Sequence, residues 1–174
     1  MKQPLYRHAR LAGLACRLVA LGLPLLTLLA WYIGTAQVEL SRNFGDELIQ
    51  QLSAGQILLA ILLSLLPTLA MARSLFCAAS CFDCFAGADW FSPIQPIALA
   101  GAGRWLVLSG LFTFLAPTLL GFVITLSAPA GARALIVSLS SNGVLLILFG
   151  LLFWSLGTLW AKANALAAEN VQFV

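Results

Sequence analysis

AGQILLAILLSLLPTLAMA, residues 54–72, carries no charged side chain at any position. A run of about 20 apolar residues matches the hydrocarbon thickness of a bilayer. The run is continuous rather than alternating, which excludes an outer-membrane strand. Inside lipid its backbone groups can pair only with one another, so it reads as a helix. Working outward, three comparable runs lie at about 18–33, 105–127 and 143–161. With their flanks they make four spans, about 12–34, 54–72, 104–127 and 143–161, joined by a segment 73–103 and followed by a tail 162–174. The expected fold is an all-α four-transmembrane-helix bundle, a single integral membrane domain over the 174 residues.

Composition supports this. The chain is 61% hydrophobic and 9% charged, with mean hydropathy +1.01. Soluble domains carry about 25% charged residues, so a soluble fold has too little polar surface to cover this apolar excess. The net charge of +3 does not indicate nucleic-acid binding, because the cations are scattered and no Lys/Arg run tracks a phosphate backbone.

Loop cations set the orientation. One side holds Lys2, Arg7, Arg10, Arg17, Arg73, Arg104 and Lys162; the other holds Arg42 and Arg133. Both termini are therefore expected in the cytoplasm. The basic start, the apolar run behind it and Gly34-Thr35-Ala36 also resemble a signal peptide. Three further spans commit the chain to the membrane, so 18–33 is read as an uncleaved first span. Arg17, near its end, reads as a snorkelling anchor. Pro24, Pro67 and Pro117 place one proline inside each of the first three spans, which should curve those helices.

Between the spans, 35–41 and 134–140 alternate with β-branched residues, the pattern of short strands. They are expected to pair as a small two-stranded extracytoplasmic sheet. Asp46 is expected to open a helix running through Ile49, Leu52 and Gln56 into the second span. Residues 73–86 are helix-compatible, as an extension of that span or an interfacial helix. Gly87 and Ala88 break it, and Ser92-Pro93 is a helix start that feeds the third span. Gly143, Gly150 and Gly157 recur every seven residues and share one stripe of the fourth span. Such a stripe lets a neighbouring backbone approach, as the packing seam of the bundle or the face of a homo-oligomer.

Cys77, Cys81 and Cys84 have the spacing of a radical iron–sulfur site. That chemistry needs a large soluble barrel, which this chain does not encode. The three fall at i, i+4 and i+7 on one helical face, where cysteine packs as a small hydrophobe; a metal or redox role is the weaker reading. His8 sits among exposed basic residues. No nucleophile–base set, metalloprotease helix or phosphate loop is present, so no catalytic residue and no cofactor are expected. The acidic residues lie outside the apolar runs, which weakens a transport pathway.

LSAGQILLAILLSLLP at 52–67, SLFCAASCFDCFAGADWFS at 74–92 and LWAKANALAAENVQFV at 159–174 resemble a family of small bacterial four-span membrane proteins, catalogued as domain of unknown function 2975. The shared features are Leu52-Ser53 with Gln56, Leu75-Phe76, Gly87 with Phe91-Ser92, and Glu169-Asn170. The chain departs from the family at 73–86, where three cysteines and one Arg stand in a segment commonly rich in Arg and Tyr. The resemblance implies no activity and supplies no catalytic residue. Some members resemble the membrane partner of a small helix-turn-helix regulator encoded nearby, which suggests sensing or sequestration. The expectation is thus a non-enzymatic protein of the bacterial inner membrane, in contact with the lipid bilayer and not with nucleic acid. Its cytoplasmic surface, built from 73–104 and 162–174, would dock that regulator or another membrane protein, with Leu166, Val171 and Phe173 as apolar anchors. The alternative is a small channel or carrier acting as an oligomer.

Overall fold

The computed structural model describes residues 3–44, 49, 52–87, 92–125 and 140–171. Five helices account for nearly all of them: α1 (Gln3–Ile33), α2 (Thr35–Phe44), α3 (Ala54–Ala86), α4 (Ile94–Thr125) and α5 (Ser141–Val171). Four of these are long and apolar enough to cross a membrane. At a rise of about 1.5 Å per residue each is roughly 46–50 Å long, well beyond a hydrocarbon core of about 30 Å. The helices therefore do not stop where the apolar runs stop. Residues 73–86 continue α3, residues 94–103 belong to α4, and 162–171 continue α5.

Local chemistry sets the ends. Ser53 caps α3: its Oγ accepts from Gln56 N at 3.4 Å, while Gln56 Oε1 accepts from Ser53 N at 2.9 Å. This reciprocal box satisfies two of the donors that a helix start leaves open. Leu52 lies outside the helix, so the expected continuous helix through Leu52 is replaced by a capped start at Ala54; Asp46 lies outside the described residues. At the other end, Gly87 N donates to the carbonyls of Asp83 and Cys84. Ser92 Oγ accepts from Ile94 N at 3.4 Å, so Ser92-Pro93 does open α4.

The strand expected at 35–41 is not formed; this stretch is α2. Gly34, at φ +87°, ends α1 in a conformation that favours glycine, and Val38 N then donates to Gly34 O to restart helical pairing. Gln37, Glu39 and Leu40 are good helix formers, which favours the helix over a short strand. The second strand, 134–140, falls outside the described residues except Ser140, which is coil before α5.

The long helices pack in chain order, α1 on α3, α3 on α4 and α4 on α5, with a lesser contact of α1 on α2. They run antiparallel: Trp31 meets Ser64 while Gly13 meets Ala79 and Phe82. The α3–α4 interface repeats every seven residues. Pro67, Ser74 and Cys81 of α3 face Ser109, Ala102 and Gln95 of α4, and each pair is joined by one bond to a backbone carbonyl. Ser109 Oγ donates to Pro67 O at 2.9 Å, Ser74 Oγ to Ala102 O at 2.8 Å, and Cys81 Sγ to Gln95 O at 3.4 Å. Near the capped start of α3, Gln56 Nε2 adds a bond to Val123 O at 3.0 Å. A seven-residue repeat keeps one stripe of each helix against its partner only when the helices wrap gently about each other.

The α4–α5 interface uses the same period with less side chain. Gly143, Gly150 and Gly157 of α5 face Gly110, Gly103 and Pro96 of α4. A Cβ on Gly150 would stand 2.6 Å from Val107 N and 2.8 Å from Gly103 O. A Cβ on Gly110 would stand 2.8 Å from Gly143 O, and one on Gly157 2.8 Å from Pro96 O. The two backbones touch, which only glycine permits. On α4 this stripe is one residue from the Gln95–Ala102–Ser109 stripe, about 100° around the helix. α3 and α5 therefore approach α4 from well-separated directions, and the array of helices is curved.

Candidate functional site: the basic end of the helical array

The antiparallel order brings the start of α1, the end of α3, the start of α4 and the end of α5 to one end. Arg7, Arg10, Arg17 and Lys162 lie there, and Arg73 and Arg104 lie on the same side of the apolar stretches, nearer the helix middles. Among the described residues the opposite end carries Arg42.

An ion pair crosses this end. Arg17 of α1 donates through Nη2 to Asp83 Oδ2 of α3, with both side chains about half exposed. Gly13, one turn earlier, makes room for the contact: a Cβ there would lie 3.3 Å from Asp83 Oδ1 and 3.4 Å from Phe82 Cβ. The reading of Arg17 as a snorkelling anchor thus missed a partner 66 positions away. On the opposite flank, Phe85 of α3 stacks on Trp160 of α5, with ring centroids 6.4 Å apart and planes at 29°. This contact bridges α3 and α5 past α4.

The three cysteines lie inside this frame. Cys81 is buried and donates to Gln95 O; Cys77 packs on Gly101, whose Cβ would be 3.4 Å from Cys77 Sγ. Cys84 is half-buried, and all three are free thiols, as is Cys16 on α1. Among the described residues no three His, Cys, Asp or Glu side chains converge as a metal site. Cys77 and Cys81 meet the α4 backbone, which makes them interface residues.

Gly143, Gly150 and Gly157 all lie against α4. Leu166 is exposed on the last turns of α5, at 62% of its full surface. Val171 is the last residue of that helix, and Phe173 lies outside the described residues. The tail continues α5 through Val171 and does not turn aside there as a separate surface helix.

Two features escaped the sequence reading. The small-residue stripe on α4 was legible as Pro96, Gly103 and Gly110 at the same spacing as the glycines of α5. The Arg17–Asp83 pair had no sequence signal, because it depends on how far α1 is offset along α3. Chemically, this end offers cations, a half-exposed ion pair and exposed apolar residues: a surface suited to binding. Compared with protein-family models, with curated proteins and with solved structures, the chain matches none.

Proposed function

We propose that this protein is a non-enzymatic component of the bacterial inner membrane, with its basic end in the cytoplasm, where it docks a small soluble regulator. The observation that carries the reading is the collection of four chain segments at one end, reaching past a bilayer thickness with most of the described cations. Positive charge is retained on the cytoplasmic side during insertion, so this end belongs there. Arg17–Asp83 on one flank and Phe85–Trp160 on the other link neighbouring helix ends at this surface. Leu166 supplies exposed apolar area on that surface, with Val171 and Phe173 as the other anchors. That the regulator is a small helix-turn-helix protein rests on the expected family resemblance alone.

The test is a pull-down of the tagged full chain from native membranes with identification of the soluble proteins recovered. A helix-turn-helix protein should be captured and should be lost when 163–174 is deleted. Recovery unchanged by that deletion, or solute conduction by the protein in liposomes with no soluble partner captured, would count against the reading.

A further inference from the structure

Arg73 and Arg104 lie on adjacent helices at one level. In the α3–α4 ladder Ser74 is bonded to Ala102, and the antiparallel register sets Arg73 opposite position 103 and Arg104 opposite position 72. The two cations are thus offset along the axis by about one residue, or roughly 1.5 Å.

They also share a face. On α3, Ser74 and Cys81 look toward α4 while Ser64, Ala79 and Asp83 look toward α1. Arg73 falls in the remaining arc, on the stripe of the exposed Leu62, Leu66 and Leu69. On α4, Ala102 looks toward α3 and Gly103 toward α5; Arg104 falls in the remaining arc with the exposed Ile97, Leu111 and Leu115. Because the helices are antiparallel, the same sense of rotation puts both arcs on the outer side of the curve. Two guanidinium groups therefore stand on one lipid-facing surface.

The position is the edge of the apolar runs 54–72 and 105–127. Leucines continue the stripes toward one end, and Ile97 and Ile94, both exposed, continue toward the basic end. Those two lie about 10 and 15 Å beyond Arg104 along the helix. A cation at the edge of an apolar stretch reaches for water or a headgroup counter-charge. Asp83, the acidic side chain described at the basic end, is engaged by Arg17. Arg104 Nε donates to Ala100 O at 3.5 Å, which leaves its terminal nitrogens unused by that bond.

We propose that Arg73 and Arg104 together hold the phosphate of an anionic phospholipid, whose acyl chains lie along the leucine stripes of α3 and α4. Guanidinium suits this task because its fork of donors matches phosphate oxygens. The inference needs neither the partner nor the orientation proposed above.

The test is native mass spectrometry of the full chain in detergent with equal amounts of phosphatidylglycerol and phosphatidylcholine. The wild-type protein should retain phosphatidylglycerol preferentially. R73Q/R104Q should lose that preference by roughly tenfold, the size of one charge-assisted contact. R7Q/R10Q, with two cations removed from the start of α1, should keep it. R73K/R104K preserves charge without the fork and should fall between. Helical circular dichroism and a monodisperse elution profile check that each variant folds. Equal retention of the two lipids by wild type, or an unchanged preference in R73Q/R104Q, would overturn the proposal. So would a wild-type dimer that R73Q/R104Q dissociates, because the arginines would then face a second copy.

Discussion

Ser74 on α3 donates to the carbonyl of Ala102 on α4 at 2.8 Å, the middle of three bonds that recur every seven residues along this pair of helices. Ser109 to Pro67 lies above it and Cys81 to Gln95 below. In each case a small side chain reaches a backbone oxygen on the facing helix, so the backbones stay close and the register is set. Hydrogen bonds between helices in lipid contribute about 0.6 kcal/mol on average. Ser74→Ala and Ser109→Ala should therefore each lower unfolding free energy by about that amount in detergent. Ser109→Leu should prevent folding, because the site is 2% exposed and has no room for the added atoms. Denaturant titration followed by circular dichroism checks all three.

The glycine stripe should be far less forgiving. Gly150→Leu must push Val107 N and Gly103 O away from positions within 2.8 Å of the new Cβ, and both are backbone atoms that cannot yield by changing rotamer. Most of the variant should be lost to aggregation on extraction. Gly22→Ala is the control, since a Cβ there meets nothing within 4 Å. That change should be neutral or stabilising by up to about 1 kcal/mol, the helix-propensity gain. Monodisperse yield by size-exclusion chromatography separates the two outcomes.

The runs at 54–72 and 143–161 identified membrane helices because a long apolar run has one reading in lipid. Gly143, Gly150 and Gly157 stood out because glycine at a fixed interval is conspicuous. Pro67, Ser74 and Cys81 have the same interval but three different side chains, so their shared role appears only when α4 is set beside them. The strand reading of 35–41 failed because alternation over seven positions is also compatible with one amphipathic helix. The structure forms the helix, entered through Gly34 at positive φ.

Arg17 and Asp83 should contribute little to global stability. Both are about half exposed, and pairs of that kind are worth about 0–1 kcal/mol. Asp83→Asn should shift the unfolding free energy by less than about 1 kcal/mol. The charge reversal R17D should cost more, by opposing two carboxylates, and R17D/D83R should recover most of that loss. A double-mutant cycle on thermal or chemical unfolding checks the coupling.

Thiol reactivity offers a direct view of the cysteines. Cys81 is 8% exposed and bonded to Gln95 O, whereas Cys84 and Cys16 are half-buried. Maleimide labelling of the folded protein should modify Cys81 slowest, resolved by peptide mass spectrometry. Protein purified without oxygen should carry no stoichiometric iron or zinc; a bound metal would refute the packing role given to Cys77 and Cys81.

In the proposed role the basic end, with Arg17, Asp83 and Leu166, faces the cytoplasm and binds a soluble partner there. A phosphatase reporter that folds only outside the cytoplasm, fused after Val174 and separately after Arg42, tests it most directly. The fusion at Val174 should be inactive and the one at Arg42 active. Activity at Val174 would contradict it, because the proposed docking surface would then lie on the wrong side of the membrane.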